Sequence, residues 1–218
     1  MGFDYEIIID YAPLLLKGTL WTLGLSIVSI VIGTILGLFI SLGKMMRNKW
    51  LSFPFATYIA FFRGTPLFLQ ILIIHFGVVP FFINDTNAIV AAIVALSLNS
   101  AAYIAEIFRG GIQSIEKGQM EGARSLGMSH VQAMRYVILP QAVKRVIPPL
   151  GNEVVILVKE SSLAAIIAAP EIMYYAQNMS SAHFKVWEPY LTAALIYLII
   201  TLTLSWILHR VERRLDTA

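Results

Sequence analysis

The sequence contains no cysteine and little charge. Of its 218 residues, only 13% are charged, against roughly 25% in soluble domains. Without cysteine, disulfide scaffolds, thiolate zinc sites, iron–sulfur clusters and cysteine nucleophiles are excluded. Because 58% of the residues are hydrophobic, an ordinary soluble domain is excluded as well.

Motifs for several enzyme classes are also missing. The Gly43-Lys44 pair is followed by Met45, so it is not the G-x-x-x-x-G-K-[ST] phosphate loop of an ATPase. Neither H-E-x-x-H nor G-x-S-x-G occurs, which removes the usual signs of a metalloprotease or a serine hydrolase. The net charge of +3 is weak support for nucleic-acid binding. We therefore expect no enzyme activity, bound metal, bound cofactor or nucleic-acid partner.

Long apolar stretches dominate what is present. Residues 18–43 carry no charge and would form a helix of about 39 Å, longer than the roughly 30 Å hydrocarbon core of a bilayer. Similar stretches cover 50–84, 88–108, 146–169 and 189–208, and Pro54 and Pro66 suggest that the 50–84 span is long or broken. The sequence predicts an all-α integral membrane protein with five transmembrane helices, forming a single domain over residues 1–218.

Basic residues concentrate in alternate loops, at 44–49, 109–145 and 210–214. Short cytoplasmic loops are enriched in lysine and arginine. We therefore expect the amino terminus outside and the carboxyl terminus in the cytoplasm.

The 109–145 loop has apolar residues at helical intervals, which favours two short helices. Gly127 stands where a left-handed residue would end the first helix, and Ser129 with Gln132 fits a capping box that opens the second. Such a loop could lie on lipid headgroups or dock a cytoplasmic partner.

Several polar residues lie inside the predicted spans. Glu153 and Glu160 are two helical turns apart and share a face, and Asn99, Tyr103 and Glu106 form a stripe on the third span. Ionisable residues in a membrane usually face a cavity or a partner. The alternative is interhelical hydrogen bonding that holds the bundle together.

Three further features have simpler explanations. Gly33 and Gly37 form G-x-x-x-G, which indicates close helix packing within the subunit or between two subunits. Residues 3–16 fit a short interfacial helix. His75 fits a pore or packing residue.

The run EGARSLGMSHVQAMRYVILP at 121–140 resembles the EAA loop of permease subunits in ABC-type importers. Gly122 replaces the first alanine of that motif, and Val137 replaces its isoleucine. The segments FRGTPLFLQ (62–70), SLNSAAYIAEIFRG (97–110) and PPLGNEVVILVKESSL (148–163) are similar to the polar amino-acid branch of that family.

The resemblance implies a set of partners. It suggests a bacterial cytoplasmic membrane protein that pairs with a second permease subunit, identical or related, and receives an amino acid from an extracytoplasmic binding protein. ATP and magnesium would be held by separate ATPase subunits, each with a groove for the EAA helix. The docking residues would be Glu121, Gly122, Ala123, Gly127, Leu139 and Pro140, with Glu121 orienting or capping the first loop helix and Gly127 permitting its bend.

The polar residues in the spans suggest a basic amino acid as substrate, because two carboxylates on one face suit a dication. Glu153 would meet the cationic side chain, Glu160 or Asn99 the α-ammonium group, and Ser161, Ser162 or backbone amides the α-carboxylate. The full candidate set is Glu153, Glu160, Asn99, Gln70, Asn152, Ser161, Ser162 and Tyr103.

Alternatives stay open at this point. The substrate could be glutamine or another polar amino acid, or the chain could be an ion-coupled carrier. Arg63 reads as part of a helix break near the interface, and the less favoured possibility is contact with the substrate carboxylate.

Overall fold

The computed structural model describes residues 3–216, and every regular element in that range is helical. The α-helices are α1 (Tyr5–Lys44), α2 (Lys49–Gly64), α3 (Leu67–Ile73), α4 (Val79–Ile83), α5 (Ala88–Gln113), α6 (Lys117–Ser125), α7 (His130–Ala133), α8 (Leu139–Glu160), α9 (Ile172–His183) and α10 (Trp187–Asp216). Ile74–Val78 and Met134–Ile138 are π-helical turns, and Ser161–Ile167 is a 3-10 helix. The prediction of an all-α fold is confirmed.

The apolar helices account for up to four membrane spans within the described residues. Helices α1, α5 and α10 are each long and apolar enough to cross a bilayer, and α2 with the α3–α4 segment forms a pair bent by 107° that can count as one more. The bend lies at Thr65 and Pro66, so the predicted break is observed, while the count of five spans stays a prediction. Helix α8 lacks the composition of a span because of its charged side chains.

Helix α1 is longer than its predicted span. Asp4 caps it, with a side-chain oxygen accepting a hydrogen bond from the Glu6 N–H at 3.1 Å, and the helix then continues through Pro13 to Lys44. The prediction of a separate interfacial helix at 3–16 is therefore wrong, because the cap starts α1 at the beginning of that segment.

Helices α1 and α5 run parallel and pack closely. A Cβ atom on Gly33 would lie 2.1 Å from the Ser100 hydroxyl, and one on Gly37 would lie 2.9 Å from the Ile104 side chain. No larger residue fits at either position without movement of α5. Of the two explanations for G-x-x-x-G, packing within the subunit is the one observed.

Helix α8 differs from the predicted fourth span at both ends. It begins at Leu139 and ends at Glu160, where the 3-10 helix takes over. That 3-10 helix ends at Ala168, which has a left-handed φ of 59° and donates its N–H to the Ala165 carbonyl at 2.9 Å. The predicted 146–169 segment is therefore two elements, of which the second is a tight turn rather than a span.

Both π-helical turns precede a proline. Val79 donates its N–H to the Ile74 carbonyl, and Leu139 donates to the Met134 carbonyl, each five residues back instead of four. Pro80 and Pro140 follow directly and have no N–H to give. The extra residue in each turn lets the helical path continue past the proline. The second loop helix consequently runs on into α8 and is not a separate short helix.

Candidate substrate path and docking loop

Glu153 is buried in α8, with 6% of its surface exposed. None of the ion pairs or side-chain hydrogen bonds among the described residues involves it. An ionised carboxylate without a partner is costly to bury, and in membrane proteins it marks a functional site by default. Glu153 is thus the strongest candidate for contact with a cationic ligand.

Glu160 lies two turns further along the same unbroken helix and is partly buried. The two carboxylates interact electrostatically, and the exposed Lys159 is the cation that acts on Glu160. The expectation that α8 places both glutamates on one side is supported by its continuous α-helical backbone from Leu139 to Glu160.

Asn152 is placed apart from Glu153. It is exposed in a small groove of about 50 Å³ against α10, which is lined by Asn152, Val155, Ser205, Leu208, His209 and Glu212. Neighbouring residues on a helix point in different directions, so the groove and the Glu153 face are distinct.

Ser161 and Ser162 follow Glu160 at the start of the 3-10 helix. The Ser161 hydroxyl donates to the Val158 carbonyl at 2.8 Å, and the Ser162 hydroxyl donates to the Lys159 carbonyl at 2.6 Å. Both hydroxyl protons are used by the local backbone, while the oxygen atoms keep their acceptor capacity.

Gln70 and Asn99 meet directly. The Asn99 side-chain amide donates to the Gln70 side-chain oxygen at 2.9 Å. Gln70 donates in turn to the Phe62 carbonyl at 2.9 Å, the Thr65 carbonyl at 3.1 Å and the Thr65 hydroxyl at 2.8 Å. This is the interhelical hydrogen bonding that sequence analysis left as the alternative, and it fixes the bend between α2 and α3 against α5.

Glu106 is surrounded by cations from three helices. Its Oε1 accepts from Lys44 Nζ at 2.6 Å, and its Oε2 accepts from Arg109 Nη2 at 2.6 Å and Nε at 3.1 Å. Arg63 Nη1 lies 3.9 Å from Oε2. The sequence placed Glu106 on the polar stripe but gave no sign of these partners, since Lys44 and Arg63 come from distant segments.

Glu106 also borders a cavity between the end of α5 and the start of α8. The cavity has a volume of about 380 Å³ and is lined by Glu106, Ile107, Gly110, Gly111, Ser114, Arg145 and Pro149. That volume falls in the range of small-molecule sites. Pro149 precedes Glu153 by one helical turn, so the two residues lie on the same side of α8.

Sequence reasoning missed a second buried carboxylate, Glu171. It is fully buried and caps α9, accepting from the Met173 N–H at 2.9 Å and the Tyr174 N–H at 2.6 Å. The Tyr197 hydroxyl of α10 donates to it at 2.5 Å. Little in the sequence signals this cap, because the usual N-cap residues are Ser, Thr, Asp and Asn.

His75 is buried within the first π-helical turn, and its Nδ1 has no hydrogen-bond partner among the described residues. Its ring meets Phe76 edge to face. This burial fits the expectation of a packing residue.

The end of α6 and the start of α7 form as the local sequence signals predicted. Gly127 has φ of 86° and ends the α6 turn, and Ser129 with Gln132 makes both hydrogen bonds of the capping box. A small apolar cluster fastens the loop to α8, formed by Ile115, Ile138 and Ala142 with Ile112, Met120, Met134 and Val137 around them.

The proposed docking residues differ in exposure. Glu121 and Gly122 are exposed, whereas Ala123 is buried beneath them. Glu121 does not cap α6, because it lies in the middle of Lys117–Ser125 while Glu116 holds the N-cap position. Leu126, which sequence analysis did not select, is 86% exposed at the tip of the loop.

Comparison with known proteins gives consistent matches. A family model described as binding-protein-dependent transport system inner membrane component matches residues 29–217. The chain is 44% identical over 195 residues to the probable amino-acid ABC transporter permease protein YckA of Bacillus subtilis, covering 89% of this chain and 86% of that protein.

Two further relatives align with this chain over nearly the whole length of both proteins. The chain is 40% identical over 217 residues to the arginine transport system permease protein ArtQ of Bacillus subtilis, covering 100% of this chain and 99% of ArtQ. It is 39% identical over 217 residues to the glutamine transport system permease protein GlnP of Escherichia coli, covering 99% of each. A crystal structure of an amino acid ABC transporter with histidines contains a chain that is 42% identical, with a TM-score of 0.92 over 98% of this chain and 100% of that one.

Proposed function

We propose that this chain, which belongs to the family of binding-protein-dependent transport system inner membrane components, carries cationic amino acids across the membrane and recognises their charge at Glu153. The chain is a permease subunit of an amino acid ABC importer, and a separate ATPase hydrolyses the ATP. Family membership does not support the alternative of an ion-coupled carrier.

The observation that carries the proposal is the unpaired, buried Glu153. Neighbouring carboxylates in the chain have donors: Glu106 has two close cations and Glu171 has three hydrogen bonds. Glu153 has neither, so an incoming guanidinium or ammonium group would supply its missing partner.

Glu160 supports a substrate with two positive groups. It adds a second carboxylate on the same helix, about 10 Å from Glu153 along the axis by the helical rise. We assign the α-ammonium group to Glu160 and the cationic side chain to Glu153. Ser161 and Ser162 stay secondary candidates for the α-carboxylate, with their hydroxyl protons already donated to the backbone.

Glutamine is the second candidate substrate. The identity of 39% with GlnP over 217 residues is nearly the same as the 40% identity with ArtQ. Substrate choice therefore depends on individual residues such as Glu153.

For the partners, we propose that the exposed part of the 109–145 loop docks into an ATPase subunit. Leu126 projects from the loop tip, and Val131 is also largely exposed, while the apolar cluster beneath them transmits the loop's movement to α8. Exposed apolar anchors beside polar residues are typical of protein interfaces. A second permease subunit and an extracytoplasmic binding protein complete the assembly, in the inner membrane of a bacterium, with ATP and magnesium on the ATPase.

The substrate proposal is tested by competition for uptake of labelled arginine in cells that produce the chain with its ATPase and binding protein. Unlabelled arginine, lysine, histidine, glutamine and glutamate are the competitors. Wild type should be inhibited by the cationic amino acids, and Glu153→Gln should lose uptake by about tenfold or more, since it loses a charge-assisted contact. Glu212→Gln, a carboxylate in the separate Asn152 groove, is the matched control and should keep its uptake. Competition by glutamine alone, with normal uptake by Glu153→Gln, would contradict the proposal.

The docking proposal is tested with Leu126→Asp. The variant should retain the permease in the membrane, because the Leu126 side chain is 86% exposed, yet it should lose co-purification of the ATPase. Val186→Asp, at an exposed position between α9 and α10 and outside the 109–145 loop, serves as the control for an added charge. Full ATPase recovery with Leu126→Asp would show that the loop tip is not the anchor.

A further inference from the structure

Arg63 is the least neutralised of the cations around Glu106. Lys44 and Arg109 each approach a Glu106 oxygen to 2.6 Å, whereas the nearest Arg63 nitrogen is 3.9 Å away. One carboxylate faces three cations, so the two close contacts already exceed its charge. Arg63 therefore keeps most of its positive charge available for another group.

The Arg63 guanidinium is also open to a ligand. Its side chain is 44% exposed, more than Lys44 at 27% or Arg109 at 31%, and it makes no hydrogen bond to any described residue. The guanidinium carbon, Cζ, lies 5.2 Å from the centre of the Tyr103 ring. Stacking on a ring holds a guanidinium in place while leaving the donors at its edge free.

The surroundings fix where this guanidinium sits. Arg63 lies in the last turn of α2, just before the 107° bend. The carbonyl of the preceding residue, Phe62, accepts hydrogen bonds from the Gln70 and Asn99 amides. Tyr103 and Glu106 lie on the same stripe of α5, and Glu106 borders the cavity that Pro149 of α8 also lines, one helical turn before Glu153. A partly exposed cation, held against Tyr103, thus lies next to Glu106 at the border of this cavity.

We propose that Arg63 is a specificity-determining residue that binds the α-carboxylate of the amino acid during its passage. An amino acid carries a negative group as well as a positive one, and moving it through a membrane requires a partner for each. A planar guanidinium offers two parallel N–H donors to the two oxygens of a carboxylate. The inference deepens the proposed function, because it takes the substrate path to run past α5 and α8, but it applies to any amino acid and not only to cationic ones.

The test separates recognition of the carboxylate from general stability. The purified permease–ATPase complex, without its binding protein, binds labelled arginine in competition with unlabelled arginine or argininamide, in which a neutral amide replaces the α-carboxylate. Wild type should prefer arginine by about tenfold or more, and Arg63→Gln should reduce this preference to about threefold or less. Lys44→Gln is the matched control: it removes another cation from Glu106 and should keep the wild-type preference.

Three results would overturn the proposal. The first is an unchanged preference in Arg63→Gln. The second is an equal loss of affinity for both ligands in Arg63→Gln and Lys44→Gln, which would make Arg63 part of the Glu106 cluster alone. The third is loss of co-purified anionic phospholipid from Arg63→Gln with an unchanged preference, which would assign the guanidinium to a lipid phosphate.

Two alternative experiments apply if the variant or the ligand proves unsuitable. If Arg63→Gln does not fold, Arg63→Lys replaces it: lysine keeps the charge but not the paired donors, so the preference must fall there too, and an unchanged preference again overturns the proposal. If wild type binds glutamine instead of arginine, the cationic-substrate proposal fails by itself, and the same measurement is made with glutamine and its α-amide.

Discussion

Glu106 and Glu153 lie on adjoining helices, α5 and α8, and differ in almost every contact they make. Glu106 is held by Lys44 and Arg109 at 2.6 Å, so its charge ties the ends of α1 and α5 together. Glu153 is more deeply buried and has no such partner within the described residues. The difference teaches that intramembrane charge alone does not identify a substrate contact, whereas charge that the protein leaves unpaired does.

The two helices also differ in the cations that contact their glutamates. Helix α5 packs against α1 and α2, whose ends carry Lys44 and Arg63. On α8, by contrast, no ion pair or side-chain hydrogen bond among the described residues reaches Glu153. The proposed role of Glu153 depends on a ligand from outside the chain supplying that partner.

Removing the Glu106 charge should have the largest effect on stability. Glu106→Gln leaves Lys44 and Arg109 close together without their shared anion, and we expect a loss of about 3 kcal/mol in the free energy of unfolding, as for other broken, partly buried ion pairs. The measurement is thermal unfolding of the purified protein in detergent. The matched variant is Glu153→Gln, which removes a carboxylate with no partner and should unfold at the wild-type temperature or above. Equal destabilisation of the two variants would remove the contrast between them.

Glu171→Gln should have an intermediate effect. The amide keeps one acceptor oxygen for the α9 N–H groups but weakens the hydrogen bond from Tyr197, for an expected loss of about 1–2 kcal/mol. Tyr197→Phe removes the same hydrogen bond from the other side. In a double-mutant cycle the two losses should not add, because they remove one shared interaction. Additive losses would mean that Glu171 acts only as the cap of α9.

The smallest effect is expected at the Asn99–Gln70 contact. Asn99→Ala should cost about 0.6 kcal/mol, the average for interhelical hydrogen bonds in membranes, and should change arginine affinity less than threefold. Unfolding and equilibrium binding of the same preparation measure both quantities. A loss of affinity as large as that of Glu153→Gln would instead assign Asn99 to the substrate, as the sequence allowed.

The features that the sequence predicted correctly are local ones. The left-handed Gly127 and the Ser129–Gln132 capping box follow from residues within one turn of each other. The break between α2 and α3 follows from Pro66. In each case the residues that set the conformation are neighbours in the chain.

The features that the sequence could not reveal depend on distant segments. Lys44 contacts Glu106 although the two residues are 62 positions apart in the sequence. Tyr197 of α10 contacts Glu171, which is 26 positions earlier. The end of α8 at Glu160 also escaped prediction, because Ser161–Ile167 is as apolar as a membrane helix and gives no sign of its 3-10 turn. The sequence identified Glu153 as a candidate, but only the fold distinguishes it from Glu106 by the absence of a partner.

The most direct test of the central claim is equilibrium binding of labelled arginine to the purified permease–ATPase complex in the absence of the binding protein, so that the membrane cavity alone is measured. Wild type and Glu212→Gln should bind arginine with the same affinity, and Glu153→Gln should bind it at least about tenfold more weakly, with its unfolding temperature retained. If Glu153→Gln binds arginine as tightly as wild type does, Glu153 does not recognise the cation, and substrate selection must depend on other residues.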